Sequence, residues 1–166
     1  SGPQRNERTW RRAKSKAPRH EGLVVTAHPA QEFPARNVRP FDRVLADVPC
    51  TGTGAWRRDV NAKWRYQPSD LDALCEDQRS ILGAASTLVK TGGRLVYATC
   101  SLLQEENEQQ VTWFLANFPN FSALSIDQVW RETIGGKPPS VGAGLRLSPA
   151  STGTDGFFCA VLERQN

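Results

Sequence analysis

The chain has 166 residues, of which 39% are hydrophobic, and both values fit one ordinary globular domain. No apolar run approaches the ~18 residues that a membrane span needs, and no secretory signal opens the chain. The four cysteines form no C-x-x-C pair, which argues against a structural zinc site, and they are too few for a disulfide scaffold. We therefore expect a cytoplasmic protein without metal. The absence of Met predicts a processed or truncated chain.

The net charge of +4 is concentrated near the N-terminus. Residues 1–40 hold nine Lys/Arg and three Asp/Glu, whereas 41–166 hold twelve and fourteen. This asymmetry predicts a basic N-terminal segment, 1–40, followed by a nearly neutral domain, 41–166. A basic segment suits a polyanion such as RNA, but a solvated terminus explains the charge equally well.

The first part of the chain predicts one buried strand after a poorly patterned region. Residues 1–20 have no clear apolar period and fit either a short surface helix or disorder. Residues 22–26 predict a short strand, and the proline-rich stretch 29–40 predicts a loop. The apolar run 43–47 predicts a buried strand that ends in a carboxylate, Asp47.

The middle of the chain alternates between helical and strand patterns. Ser69 is a suitable N-cap for a helix whose apolar positions share one face, and residues 91–93 are expected to end that helix. Residues 94–99 predict a second buried strand. A second helix is expected around residues 111–118, where apolar residues recur at i, i+3, i+4 and i+7.

The last part predicts strands separated by a loop. Residues 121–126 are strand-like, and 131–144 are rich in glycine and proline. Residues 145–147 and 157–163 predict two strands close enough in sequence to pair antiparallel. The order of elements therefore predicts an α/β fold, with a mostly parallel sheet and an antiparallel edge.

Two cysteines follow the ends of the two predicted parallel strands. A right-handed crossover would place these strands side by side, about 4.8 Å apart, and ligands collect at the carboxyl ends of such strands. Cys50 and Cys100 should therefore meet at one edge of the sheet. A buried cysteine is more often packing than chemistry, and this interpretation suits Cys75 in a helix and Cys159 in a strand.

Three groups of motifs carry a family resemblance. They are DVPCTGTG at 47–54 with KWR at 63–65, TGGRLVYATCS at 91–101 with EENE at 105–108, and LRLSP at 145–149 with GTDGFF at 153–158. In this order and spacing they resemble motifs of the Sun/RsmB family of RNA 5-methylcytosine methyltransferases. The resemblance runs from about Phe41 to the C-terminus. It implies a Rossmann-like fold that uses S-adenosylmethionine and acts on ribosomal or transfer RNA.

The resemblance also implies roles for three residues. Carbon 5 of cytosine is a poor nucleophile, and addition of a thiolate to carbon 6 activates it. Cys100 is implied as the attacking nucleophile, and Cys50 as the residue that assists release of the methylated product. Asp47 is implied as a contact to the cofactor or to the cytosine edge, although a capping role would also explain a carboxylate at this position.

The charged residues beyond the cysteines allow two interpretations. Arg57, Arg58, Lys63 and Arg65, with two interleaved tryptophans, form either an RNA contact or an ordinary surface loop. We favour the RNA contact. The glutamates of the EENE motif are expected to favour the start of a helix rather than to act as acids or bases.

The sequence lacks the glycine-rich cofactor loop that opens such domains. His28 and Pro29 also stand where the family would place an aspartate after its third strand. These features predict the C-terminal half of a catalytic domain without its first strands, completed by the rest of a parent chain or by a second chain. A rival interpretation is a non-catalytic RNA-binding or scaffold module that has lost the cofactor half-site.

Overall fold

A computed structural model describes residues 39–65 and 67–166, which belong to a compact unit spanning 34–166. The predicted strand at 22–26 and the region 1–20 lie outside the described residues. Within the described ranges, no helix is long and apolar enough to cross a membrane.

The described chain alternates strands and helices, as the sequence predicts. The elements in chain order are β1 (Phe41–Asp47), α1 (Ala62–Arg65), α2 (Pro68–Ser86), β2 (Val89–Thr99), α3 (Glu108–Asn117), β3 (Phe121–Ala123), α4 (Ile126–Thr133), β4 (Gly144–Leu147), α5 (Pro149–Thr152) and β5 (Phe157–Arg164). A short 3-10 turn, Thr53–Ala55, follows β1. The predicted α/β class is confirmed.

The strands form one mixed sheet in the order β1-β2-β5-β3, with β4 also paired to β5. β1 and β2 are parallel, whereas β5 is antiparallel to β2, β3 and β4. Asp47 at the end of β1 pairs with Ala98, one residue before the end of β2. The carboxyl ends of the two parallel strands therefore lie side by side, and the segments carrying Cys50 and Cys100 leave the sheet at the same edge.

Helix α2 begins and ends earlier than the sequence pattern predicts. Gln67, not Ser69, is its N-cap, and the Asp70 side chain accepts a hydrogen bond from the Gln67 backbone N–H at 3.0 Å. Pro68 occupies the first turn, where a missing N–H costs nothing. The helix ends at Ser86.

The predicted helix end at residues 91–93 is wrong, because these residues lie within β2. Phe41 pairs with Val89 and Arg43 with Arg94, so the longer segment of β2 bulges against β1. Gly93 permits this bulge, since a Cβ there would lie 2.8 Å from the Lys90 carbonyl oxygen.

The segment 121–126 is only partly a strand. β3 covers three residues, and Ser125 then caps α4, its hydroxyl accepting a hydrogen bond from the Gln128 N–H at 3.2 Å. The predicted strand continuation through Ile126 is therefore wrong, and so is the predicted loop from residue 131 to the helix end at Thr133. A local side-chain cap decides this boundary better than the apolar pattern does.

The core lies between the sheet and helices α2 and α3. Leu82, Tyr97, Phe114 and Phe158 are among its fully buried side chains. Burial of each such side chain contributes about 1.5–3 kcal/mol. This packed layer supports the strand ends from which the two cysteine segments emerge.

Candidate active site at the carboxyl ends of β1 and β2

Cys50 and Cys100 lie in contact although fifty residues separate them in sequence. Their Sγ atoms are 3.4 Å apart, within hydrogen-bonding distance for sulfur, and both residues are half-buried. The Cys100 carbonyl oxygen also accepts a hydrogen bond from the Gly54 N–H at 3.0 Å, which ties the two segments together. The predicted convergence of these cysteines is therefore present in the structure.

The contact makes one of the two thiols acidic. The hydrogen bond between the sulfurs lowers the pKa of Cys100 to about 6, although burial and the charges of Asp47 and Glu106 oppose the shift. The same hydrogen bond, together with burial, raises the pKa of Cys50. At neutral pH the pair therefore shares one proton, and the thiolate is concentrated on Cys100.

Asp47 lies at the exposed end of β1, three residues before Cys50. Its charge is among those that act on the Cys100 thiol, which places the carboxylate near the sulfur pair. Its predicted contact with the cofactor or the base stays a prediction.

A buried polar network underlies the cysteines, and Glu106 is its centre. This side chain is fully buried. One carboxylate oxygen accepts hydrogen bonds from the Thr51 backbone N–H at 2.8 Å and from Gln78 Nε2 at 3.1 Å, and the other accepts from the Thr51 hydroxyl at 2.6 Å. Gln78 Nε2 also donates to the Pro49 carbonyl oxygen at 3.0 Å.

The prediction that Glu106 favours a helix start is wrong. Helix α3 begins two residues later, at Glu108, and the Glu106 side chain instead binds the segment after β1. One sequence signal could have found the network. Gln78 lies between Cys75 and Leu82 on the apolar face of α2, where a polar residue needs a buried partner.

A second set of hydrogen bonds shapes the segment after β2. Thr99 donates its hydroxyl to Asn107 Oδ1 at 2.6 Å, and Asn107 Nδ2 donates to the Ser101 carbonyl oxygen at 3.0 Å. The Thr53 hydroxyl accepts from the Leu102 N–H at 2.8 Å and lies 3.1 Å from Ser101 Oγ. These bonds hold the backbone around Cys100 in one conformation.

The closing motif packs directly against the loop after β1. The Gly156 N–H donates to the Gly54 carbonyl oxygen at 2.9 Å, and a Cβ on Gly54 would lie 2.3 Å from the Gly156 carbonyl oxygen. Both positions therefore require glycine for this backbone approach. The three motif groups thus meet at one edge of the sheet.

The predicted RNA-contacting residues lie beside this edge. Arg57 and Arg58 each form an ion pair through Nε with Asp155, at 2.6 Å for Arg58, and more than half of each arginine side chain is exposed. The Lys63 ammonium lies 4.9 Å from the centre of the Trp64 ring, which is 75% exposed. Arg65 ends α1, and its side chain lies outside the described part of the chain.

A sequence comparison connects this geometry with a known family. A family model described as 16S rRNA methyltransferase RsmB/F matches residues 9–163. The chain belongs to this family. The predicted family and its Rossmann-like, S-adenosylmethionine-dependent methyltransferase fold are confirmed.

Individual members and structural neighbours agree with the RsmB/F assignment. "Ribosomal RNA small subunit methyltransferase B" of Sodalis glossinidius is 42% identical over 125 residues, which cover 75% of this chain and 26% of that protein. A methyltransferase homolog from Pyrococcus horikoshii has a TM-score of 0.65 at 27% identity, covering 86% of this chain and 45% of that one. NSun6 from Pyrococcus horikoshii, solved with SFG, has a TM-score of 0.68 at 24% sequence identity. The match covers 96% of this chain and 38% of that one, and it shows a likeness of fold alone.

The chain spans about a quarter of the length of the curated RsmB/F relatives it matches. The match therefore concerns one portion of those proteins. The residues matched by the family model, 9–163, include both cysteine segments and the closing motif.

Proposed function

We propose that the chain carries the RNA-facing part of a cytosine-5 methyltransferase site acting on small-subunit ribosomal RNA, with Cys100 as the nucleophile. The observation that carries this proposal is the 3.4 Å contact between the Cys50 and Cys100 sulfurs at the carboxyl ends of two parallel strands. The description of the matched family supports ribosomal RNA as the substrate.

The first step uses the acidic thiol. With a pKa of about 6, Cys100 is mainly a thiolate at neutral pH. Its sulfur adds to carbon 6 of the cytosine, and the electrons of the double bond between carbons 5 and 6 make carbon 5 nucleophilic. S-adenosylmethionine, when bound, supplies the methyl group that carbon 5 receives.

The second step uses Cys50. The pKa of Cys50 is raised first by its hydrogen bond to Cys100 and then by burial. Once Cys100 is bonded to carbon 6, it no longer carries the negative charge that holds the Cys50 proton. Cys50 can then lose its proton to solvent water, and the resulting thiolate accepts the proton of carbon 5 while the double bond re-forms and the Cys100 thiolate departs.

Asp47 is the candidate cofactor residue among the described ones. Its exposed carboxylate beside the sulfur pair is a hydrogen-bond acceptor, which suits a hydroxyl or amino group of the cofactor or the amino group of cytosine. The chemistry of this position fits S-adenosylmethionine in part, since one carboxylate does not make a complete pocket.

The basic loop is proposed to bind the RNA backbone. Arg57 and Arg58 each use Nε for Asp155, and a guanidinium carries four further N–H donors that can bind phosphate. Trp64 offers an exposed ring for stacking an unpaired base, with Lys63 beside it. Arg65 is included among the proposed RNA-binding residues because it is the last residue of the KWR motif at 63–65.

Trapping of a covalent adduct tests the proposal. The whole chain is incubated with small-subunit ribosomal RNA and S-adenosylmethionine and then run on a denaturing gel. Cys50→Ala should accumulate a slow-migrating protein–RNA band, because release is blocked, and Cys100→Ala should form none. Cys159→Ala is the matched control and should behave as the unmodified chain. An adduct in Cys100→Ala would contradict the assignment of the nucleophile.

Calorimetry with S-adenosylmethionine separates this proposal from a non-catalytic RNA-binding module. One-to-one binding by the chain supports the enzyme. RNA binding without any heat from the cofactor, up to millimolar concentration, would favour the module.

A further inference from the structure

Among the described residues, Glu106 is the buried charged group that the proposed mechanism does not use. Its side chain is fully buried, and both carboxylate oxygens accept hydrogen bonds. Its backbone carbonyl oxygen accepts a further hydrogen bond, from the Tyr97 hydroxyl at 2.6 Å. A buried carboxylate is costly to desolvate and is retained in a fold only when its hydrogen bonds are satisfied.

The network of Glu106 restrains both neighbours of Cys50. On one side, Thr51 donates its backbone N–H and its hydroxyl to the carboxylate. On the other side, the Pro49 carbonyl oxygen accepts from Gln78 Nε2, which also donates to Glu106. The backbone of Cys50 is thus held on either side by one connected set of bonds.

Glu106 is also fixed in position relative to Cys100. Glu106 follows Cys100 by six positions in a segment held by the bonds of Thr99, Ser101 and Asn107. The Thr51 hydroxyl also lies 3.3 Å from Ser101 Oγ, directly after Cys100. Glu106 therefore connects the segment after β1 with the segment after β2.

We propose that Glu106 is a positioning residue, which holds Thr51 so that the Cys50 thiol stays within hydrogen-bonding distance of the Cys100 sulfur. The catalytic consequence, a ready thiolate on Cys100, rests on the proposed function. The positioning itself is a property of the folded chain and can be measured without RNA or cofactor.

The sign of the effect separates positioning from electrostatics. Three groups with titratable protons bear on Cys100: Cys50, Asp47 and Glu106. The charge of Glu106 raises the pKa of Cys100, so loss of this charge alone would lower it. Loss of the Cys50 hydrogen bond, the largest contribution, would raise it. The two roles of Glu106 therefore predict shifts in opposite directions.

The test is the pH dependence of Cys100 alkylation by iodoacetamide in the whole chain, followed by peptide mapping. Glu106→Ala should raise the midpoint from about 6 by one pH unit or more, toward the ~8.5 of a free thiol. Glu106→Gln should keep the midpoint near that of the unmodified chain or lower. Its amide oxygen can still accept from the Thr51 N–H, and its NH₂ can donate to the Thr51 hydroxyl.

Two further variants complete the experiment, one as a control and one as a second test. Glu105→Ala removes a neighbouring exposed carboxylate and should leave the midpoint unchanged. Thr51→Val removes the hydroxyl bond while keeping the shape and the backbone N–H, and should raise the midpoint by a smaller amount. Thr51→Val decides the question if Glu106→Ala does not fold.

A midpoint that stays at the unmodified value in folded Glu106→Ala and in Thr51→Val would overturn the proposal, and so would a midpoint that falls. An equal rise in Glu106→Gln and Glu106→Ala would also overturn it, because the hydrogen bonds that Gln can keep would then not hold the Cys50 thiol in place. Failure of the adduct experiment with a raised midpoint in Glu106→Ala would contradict the proposed function and leave the positioning role supported.

Discussion

The four cysteines fall into two regions of the molecule with opposite chemistry. Cys50 and Cys100 lie in segments at the edge of the sheet, with their sulfurs 3.4 Å apart. Cys75 lies inside α2, with its sulfur 3.6 Å from the Glu105 carbonyl oxygen, and Cys159 lies inside β5 opposite Ala98. The edge pair has a lowered pKa at Cys100, whereas burial raises the pKa of both interior thiols.

This difference shows that a partner, more than burial, decides thiol chemistry here. Burial raises the pKa of every cysteine that it affects in the chain. Only at Cys100 does a hydrogen bond to the charged form outweigh burial. The reactive position is therefore created by two strand ends that meet, a feature of topology that a single segment cannot supply.

The largest expected effect is a difference in labelling rate. At neutral pH, iodoacetamide should modify Cys100 at least about 100-fold faster than Cys75 or Cys159, because the thiolate is the nucleophile. The Cys100 rate should rise with pH through about 6 and then level off, whereas the interior thiols should still gain rate above pH 9. Peptide mapping after timed quenching measures all three. Similar rates at the three cysteines would remove the contrast between edge and interior.

A second, intermediate effect concerns whether the edge faces RNA. Replacing Arg57 and Arg58 by Ala should reduce the salt slope of RNA binding by about one for each lost phosphate contact. Over a fourfold change in salt, two contacts amount to roughly tenfold in affinity. Filter binding across a salt series measures the slope, with the exposed Arg131→Ala on α4 as the matched control. A slope equal to that of the control would place both arginines away from the RNA.

The sequence predicts the reactive edge well, because its signals are local and repeated. An apolar strand ending in Asp47 and another ending before Cys100 suffice to place both cysteines at one edge once the strands are parallel. The prediction that the two strands are neighbours depends on the right-handed crossover rule and not on the energy of any contact. The sequence also predicts the two strands near the C-terminus, since β4 and β5 pair antiparallel as expected.

The parts that were missed depend on distant partners. Glu106 is buried because it meets Thr51, fifty-five residues away, and Gln78, twenty-eight residues away. No local pattern distinguishes it from its exposed neighbour Glu105. Likewise, the glycines at 92 and 93 suggest a helix end by composition. In the structure they lie within β2, in the segment that bulges against β1.

The smallest expected effect is on stability. Here an interior cysteine, Cys75, should matter more than Cys100, which is the reverse of the order expected for reactivity. Cys75→Ala should reduce the free energy of unfolding by about 1 kcal/mol, because it removes a buried sulfur from α2, with a few tenths offset by the helix preference of Ala. Cys100→Ala, in a half-buried segment, should cost clearly less. Urea unfolding of both variants measures the difference. An equal or larger loss for Cys100→Ala would mean that the sulfur contact at the edge also supports the fold, so that reactivity and packing are not separate properties of the two regions.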